Sequence, residues 1–378
     1  MFRRTCRLAL LLLFVSFSPW GLAAGPAAFA VIDRSTWPQL LDGPAEFDSA
    51  SRAEILMFGK ALLDSEALGE AQLRQQLGLK EVNMTSLERV RQRFWKRLLE
   101  SYRMASKDCA DRPFCIPVGG MGEFRQRLAF FSIDATSPYF RWSQSSQGFH
   151  QLYLNEQLRL AALFPRISSE IETFSDAERT GEELADRQFL LSFDDGPTAI
   201  DGNTDKVAAL MRENKLHAMF FVLGRNYQAR LARSSVPELK RLYDGQCVAL
   251  HGWEHRSHAQ WGNWRTSVSN SKAIIKDTLP QNYRPLFRPP YGQRHADAQG
   301  LLKAEGIDVS LWNIDSQDWS RPISAQLAEQ RVQTLMLLWR RGVILFHDVH
   351  AKAASAVPAL VEANRTNGVE WLDCHDYG

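Results

Sequence analysis

Two adjacent carboxylates, Asp194 and Asp195, end the apolar run FLLSF and are followed at once by Gly196 and Pro197. Neighbouring like charges repel unless water or a cation stands beside them, so SFDDGP is either a solvated turn or part of an ion site. HGWEH offers further ligands, because His251 and His255 are four residues apart and can reach one ion from a helical turn or a compact loop. Alone, such a pair is equally a satisfied core or surface pair. With a carboxylate from FDDGP it becomes a two-histidine, one-carboxylate set, which suits zinc, or another divalent transition metal, with a position open for water. An ion of this kind acidifies that water and polarises a carbonyl oxygen. The other aspartate then has a use. Kept ionised by the cation and by an arginine, for which Arg288 is the candidate, it takes the proton of the water. An amide leaves only as a protonated amine, and His347 in VILFHD can supply that proton if a carboxylate holds its ring. Asp315 and Asp318 in WNIDSQDW are the available partners, or else part of an Asx turn.

These side chains must be carried to one place. From Gln188 onward, FLLSF, AMFFVL, CVAL, PLFR, VSLWN, VILF and VEWL read as seven strands, and amphipathic segments between them read as helices. Strand alternating with helix predicts βαβ units and a mainly parallel sheet, open or closed into a barrel. Active sites of such folds lie at the carboxyl ends of the strands. Asp194 and Asp195 end the first run, His251 the third and Arg288 the fourth, Asp315 and Asp318 follow the fifth, and His347 ends the sixth. Scattered surface residues would not fall there so consistently.

The upstream half reads differently. From about residue 51 to 187 it is mostly helical, as in TSLERVRQRFWKRLLESYRM, where Leu87, Val90, Phe94, Leu98 and Tyr102 recur at helical spacing behind a Thr85 to Glu88 capping box. It holds one histidine, His150, and no cluster of metal-binding spacing. The expectation is a secretory signal peptide at 1–24, a mostly helical accessory domain at 25–186 and a catalytic domain at 187–378. MFRRTCR followed by LALLLLFVSF and small residues has the order of a signal peptide. Without Arg3, Arg4 and Arg7 the 45 basic residues fall one short of the 43 acidic ones, so nothing argues for nucleic acid. Four cysteines remain after Cys6 leaves. CADRPFC suits a local loop closed by Cys109 and Cys115, which leaves Cys247 to pair with Cys374. Export fits both.

As an ordered set, SFDDGP, HGWEH, FRPPYG, WNIDSQDW and LFH resemble the five motifs of the polysaccharide deacetylase family, the NodB-homology domain of the family-four carbohydrate esterases. The resemblance spans about 189–350 and implies an α/β fold, a distorted, incomplete (β/α) barrel of about seven strands. It also implies roles. Asp194 would be the general base, oriented by Arg288, and Asp195 the metal ligand with His251 and His255. His347 would be the general acid, tuned by Asp318. The backbone N–H of Tyr291 would help bind the oxyanion, and Trp319 and Leu345 would line the acetyl pocket. One departure is Gly252, where the family usually has Ser or Thr, so a hydrogen bond stiffening the metal loop is expected to be missing. His258 is an extra imidazole, expected as an exposed loop residue and less readily as a ligand. The function implied is a zinc-dependent, periplasmic N-deacetylase of a polysaccharide containing N-acetylhexosamine, with no stable membrane span once the leader is removed. An O-acetyl esterase and a non-catalytic glycan-binding protein of the same fold are the alternatives.

Overall fold

The structure is a computed structural model and describes residues 28–110, 112–164 and 171–378. The signal-peptide reading of 1–24 lies outside the described residues. Eight strands, β1 Gln188–Asp194, β2 Met219–Val222, β3 Cys247–Leu250, β4 Tyr283–Phe287, β5 Asp308–Val309, β6 Ile314–Asp315, β7 Gly342–His347 and β8 Glu370–Trp371, form one sheet. Seven of them run in the order β5-β4-β3-β2-β1-β7-β6, every pairing is parallel, and β8 lies against the amino end of β1. The edge strands β5 and β6 share no ladder, so the expected incomplete barrel is the observed fold. The run VSLWN, read as one strand, spans that gap instead. Leu311 donates its N–H to Arg179 O (2.8 Å), and the Asn313 side chain accepts from Val343 N (2.9 Å), so the chain is passed from one edge to the other.

Strand periodicity explains where the chemistry falls. Leu190 and Ser192 on β1, Met219 and Phe221 on β2, Cys247 and Ala249 on β3, Leu286 on β4, and Val343 and Leu345 on β7 alternate with residues such as Leu191, Phe220, Val248 and Phe346. The apolar members of the first set form their own buried cluster inside the barrel, while the second set belongs to the larger core under the helices. Asp194, His251, Arg288 and His347 are the next inward positions along β1, β3, β4 and β7, the first and last closing their strands and the other two following theirs by one residue. Asp194 and His347 stand directly opposite each other in the β1–β7 register.

Five helices precede the barrel among the described residues: α1 Pro44–Glu66, α2 Glu70–Leu77, α3 Met84–Ala105, α4 Met121–Ala129 and α5 Phe140–Ala162. Seven accompany it: α6 Asn203–Glu213, α7 Gly224–Leu231, α8 Val236–Leu242, α9 Trp264–Thr278, α10 Ala298–Lys303, α11 Ala325–Trp339 and α12 Ala351–Ala363. No described helix is long and apolar enough to cross a membrane. The cap of α3 is Asn83, whose side chain accepts from Ser86 N (3.0 Å), and not Thr85, which already lies inside the helix.

The first five helices share their core with the barrel. From Arg331 to Trp339 every residue of α11 is buried, as befits a helix with partners on all sides. Trp339 packs at 5.5 Å between ring centroids on both Phe58 and Phe94, and its indole N–H donates to Tyr153 Oη (3.0 Å). Ser51 Oγ donates to Leu337 O (2.6 Å). Arg331, itself fully buried, carries the junction: it pairs with Glu156 of α5 (2.6 Å) and donates to Ala30 O (3.0 Å) and Asp315 O (2.8 Å). The disulfides are Cys109–Cys115 and Cys247–Cys374, the pairing suggested by the spacing.

Candidate active site

At the end of β1 the backbone turns sharply. Asp195 has φ 80°, donates its N–H to Phe221 O (3.2 Å) and accepts at its carbonyl from Asn226 Nδ2 (2.8 Å). Two neighbouring aspartates thereby receive different surroundings. Asp194 Oδ1 lies 2.7 Å from Arg288 Nη1, in a pair that is almost wholly buried. Arg288 is itself held by Ser192 Oγ (2.9 Å), Leu311 O (3.1 Å) and Ser310 O (3.3 Å), with its guanidinium 3.9 Å over the ring of Phe221. Burial lowers the pKa of this arginine and the neighbouring Asp194 opposes the shift.

Asp195 faces the histidines. Its Oδ1 is 3.3 Å from His251 Nε2 and 3.5 Å from His255 Nε2. His251 Nδ1 lies 2.8 Å from Arg288 O, a group that only accepts, so Nδ1 carries a proton and Nε2 is the ring atom turned toward the carboxylate. Asp195 Oδ1 is buried without a well-formed hydrogen bond. An imidazole nitrogen set beside a buried carboxylate oxygen that lacks a hydrogen-bond partner is an arrangement that a cation completes. One ligand atom from each of Asp195, His251 and His255 lies within 4.8 Å of the others, and this donor set fits a divalent transition ion. The charges at hand already favour the anion: burial would raise the Asp195 pKa, but contact with His251, followed by His347 and His255, holds it far below the usual carboxylate range. Burial and His251 keep the His255 pKa low, which favours a neutral ligand.

Across the mouth, His347 Nδ1 is 2.7 Å from Asp318 Oδ1, and the backbone N–H of His347 donates to Asp318 Oδ2 (2.9 Å). Both carboxylate oxygens are thus spent on one residue. Burial would lower the His347 pKa, yet Asp318, with Asp195 and Asp194 behind it, raises it to about 10. Asp315 is not brought to this histidine. Its carboxylate accepts from the N–H (2.7 Å) and side chain (3.1 Å) of Gln317, and burial pushes its pKa up to about 6. The geometry therefore assigns the partner role to Asp318 and leaves Asp315 as the shaper of the turn.

Among the residues expected around the substrate, Tyr291 has φ 60°, is 55% exposed and sets its ring edge-on to His255 at 4.4 Å. Trp319 is 42% exposed and meets Phe29 edge-on at 5.9 Å. Leu345 is buried on the inner face one inward position below His347.

Gly252 is better accounted for by the fold than by the sequence. Its φ is 80°, and a Cβ there would lie 2.7 Å from His258 Cε1 and 3.1 Å from Ser267 Oγ. His258 is not an exposed loop residue: it is fully buried, with Nδ1 2.7 Å from Arg256 O and Nε2 3.1 Å from Ser267 Oγ. Ser267 Oγ in turn accepts from Trp253 N (2.7 Å). The imidazole thus occupies the space beside residue 252 and closes the 251–258 loop on itself, and with both nitrogens engaged it is no ligand. Ser192, Ser267 and Asp348 went unread in the sequence. Inward strand parity would have found Ser192. Asp348 is buried behind the aspartate turn, where a Cβ on Gly196 would lie 2.1 Å from its Oδ2, and burial raises its pKa to about 7.

Residues 181–310 match the family model described as polysaccharide deacetylase. Over 200 residues the chain is 30% identical to the peptidoglycan-N-acetylmuramic acid deacetylase PdaC of Bacillus subtilis, a match covering 50% of this chain and 39% of that protein. It is 27% identical over 197 residues to a peptidoglycan-N-acetylglucosamine deacetylase of Bacillus cereus, covering 49% and 68% of the two chains. The solved structure of a family 4 carbohydrate esterase from Streptomyces lividans, 28% identical, superposes with a TM-score of 0.41 over 48% of this chain and 90% of that one.

Proposed function

We propose that the chain is a metal-dependent polysaccharide N-deacetylase, acting on N-acetylhexosamine units of an envelope or extracellular glycan after export. The observation that carries the reading is the convergence of three pieces at one barrel mouth: the Asp195, His251 and His255 donor set, the Asp194–Arg288 pair and the His347–Asp318 pair. A divalent ion, zinc in this proposal, held by the three donors would supply Lewis acidity to the acetyl carbonyl and to the attacking water. Asp194, paired with Arg288, takes the proton of that water. His347, protonated and fixed by Asp318, donates from Nε2 to the departing amine nitrogen, so acetate and a glycan amine result. Trp319 and Tyr291 offer exposed ring faces and edges against which a sugar can pack. Relatives named as deacetylases of peptidoglycan and of chitooligosaccharide support an amide-bearing glycan as substrate.

A second reading, O-acetyl esterase, draws on a relative from Cellvibrio japonicus named as a bifunctional xylanase/xylan deacetylase, 29% identical over 184 residues. Acetate release from acetylated xylan, chitin oligomers and peptidoglycan, each with and without a chelator, tests both. Chelator-sensitive release from the amide-bearing glycans is the expected result. Release from xylan alone favours the esterase, and release from none by metal-loaded protein overturns the enzymatic reading.

A further inference from the structure

We propose a second divalent transition-metal site, formed by His217, Asp373 and His375 at the end of the barrel opposite the active site. His217 lies two residues before β2, and Asp373 to His375 follow β8, which lies beside the amino end of β1. The topology therefore brings the carboxyl-terminal turn directly under the start of β2. Asp373 stands between the two imidazoles: Oδ2 is 2.6 Å from His217 Nδ1 and Oδ1 is 2.6 Å from His375 Nδ1. One ligand atom from each residue falls within 4.8 Å of the others, and the ring centroids are 5.6 Å apart.

The three residues are held in place before any ion arrives. Cys374 is bonded to Cys247 of β3, and its N–H donates to His217 O (3.1 Å), which ties the turn to the segment carrying the first histidine. Asp373 Oδ1 also accepts from His375 N (2.8 Å), which orients the carboxylate. An ion would take the place of the two ring–carboxylate hydrogen bonds, on a backbone that is already ordered. The side chains are 41%, 38% and 38% exposed, so an ion can enter and complete its shell with water. Two imidazoles and one carboxylate favour zinc or nickel over calcium or magnesium. No arginine pair or second acid stands beside these three residues in the contacts described, so the role assigned is structural: a clip between the carboxyl-terminal turn and the barrel floor. His251 follows Cys247 by four strand residues, about 13 Å at roughly 3.3 Å each, so the two sites are separate.

Zinc binding by the full chain tests this. The disulfide must be intact and verified by thiol assay, because reduced Cys247 and Cys374 would themselves join His375 as ligands. After chelator treatment and dialysis, zinc titration at pH 7.5 should find two equivalents. The H251A/H255A variant should keep one, and zinc should still raise its Tm. Adding H217A/H375A to that background should abolish both the equivalent and the Tm rise, while Asp373→Asn should weaken binding at least about tenfold with the circular dichroism of the parent. The proposal is overturned if H251A/H255A binds no zinc, or binds one equivalent that survives H217A/H375A. In those cases the cluster is two histidines sharing hydrogen bonds with a carboxylate. Loss of the active-site reading would look different, with wild type and H251A/H255A binding equal amounts.

Discussion

Replacing Asp318 with asparagine should convert a broad pH profile into a narrow one. The Asp318 carboxylate receives two hydrogen bonds from His347, one from the ring (2.7 Å) and one from the backbone N–H (2.9 Å). In Asp318→Asn the backbone N–H still requires an oxygen, so the amide NH₂ faces His347 Nδ1. Two donors then oppose each other unless Nδ1 gives up its proton. The imidazolium loses its counter-charge, and burial, which works against the cation, is left less opposed. The pKa of His347 should fall from about 10 to its ordinary 6.5 or lower. A general acid works below its pKa, so the alkaline limb of kcat should move to acid by three units or more. At pH 8.5 only about one ring in a hundred would then be protonated, and turnover should fall by roughly 10²- to 10⁴-fold, the range for loss of general-acid function. At pH 5.5 most of the activity should remain. Acetate release between pH 5 and 10 measures the limb, and metal analysis should find the content unchanged, because Asp318 is not one of the three donors. An alkaline limb that stays in place, or a loss equal at every pH, would refute the reasoning.

Four further tests follow from the site and its supports. Asp194→Asn should keep the metal and lose turnover by about 10²- to 10⁴-fold, whereas Asp195→Ala should lose metal and activity together; metal analysis alongside acetate release separates the two. Gly252→Ala places a Cβ on His258 at positive φ and should destabilise the protein by about 1–3 kcal/mol in chemical denaturation while weakening metal binding. Glu156→Gln leaves Arg331 buried without its counter-charge and should cost about 3–5 kcal/mol, and a chain beginning at residue 187 should be insoluble, because α11 would lose the helices that cover it.

The barrel and its mouth were legible in the sequence because β-strand periodicity is local. Every second residue of FLLSFD or VILFH faces inward, so a polar residue closing an apolar run announces the rim. What lay beyond reach was set by non-local contacts. Asp315 and Asp318 flank the same turn, and only the position of His347 on β7 tells them apart. Arg331 and Glu156 look like surface charges on two amphipathic helices until those helices meet, and this is why residues 25–186 read as an accessory unit although they share the core. His258 could not be placed because its role depends on the 251–258 loop folding back to Ser267.

The filled lower barrel makes the candidate site a room with one door. Leu190, Met219, Phe221, Trp312, Cys374 and Tyr377 plug the interior beneath Arg288. Under the proposed function, acetate formed at the rim has no rear exit and would leave by the opening across which the glycan lies. Traffic at that door sets an order of departure: a long polymer has to lift or slide before the small product escapes, whereas a short oligomer leaves a gap at its end. Under the proposed function, rate differences between polymer and oligomer substrates would then report how quickly the strand moves aside, with the bond-breaking step unchanged between them.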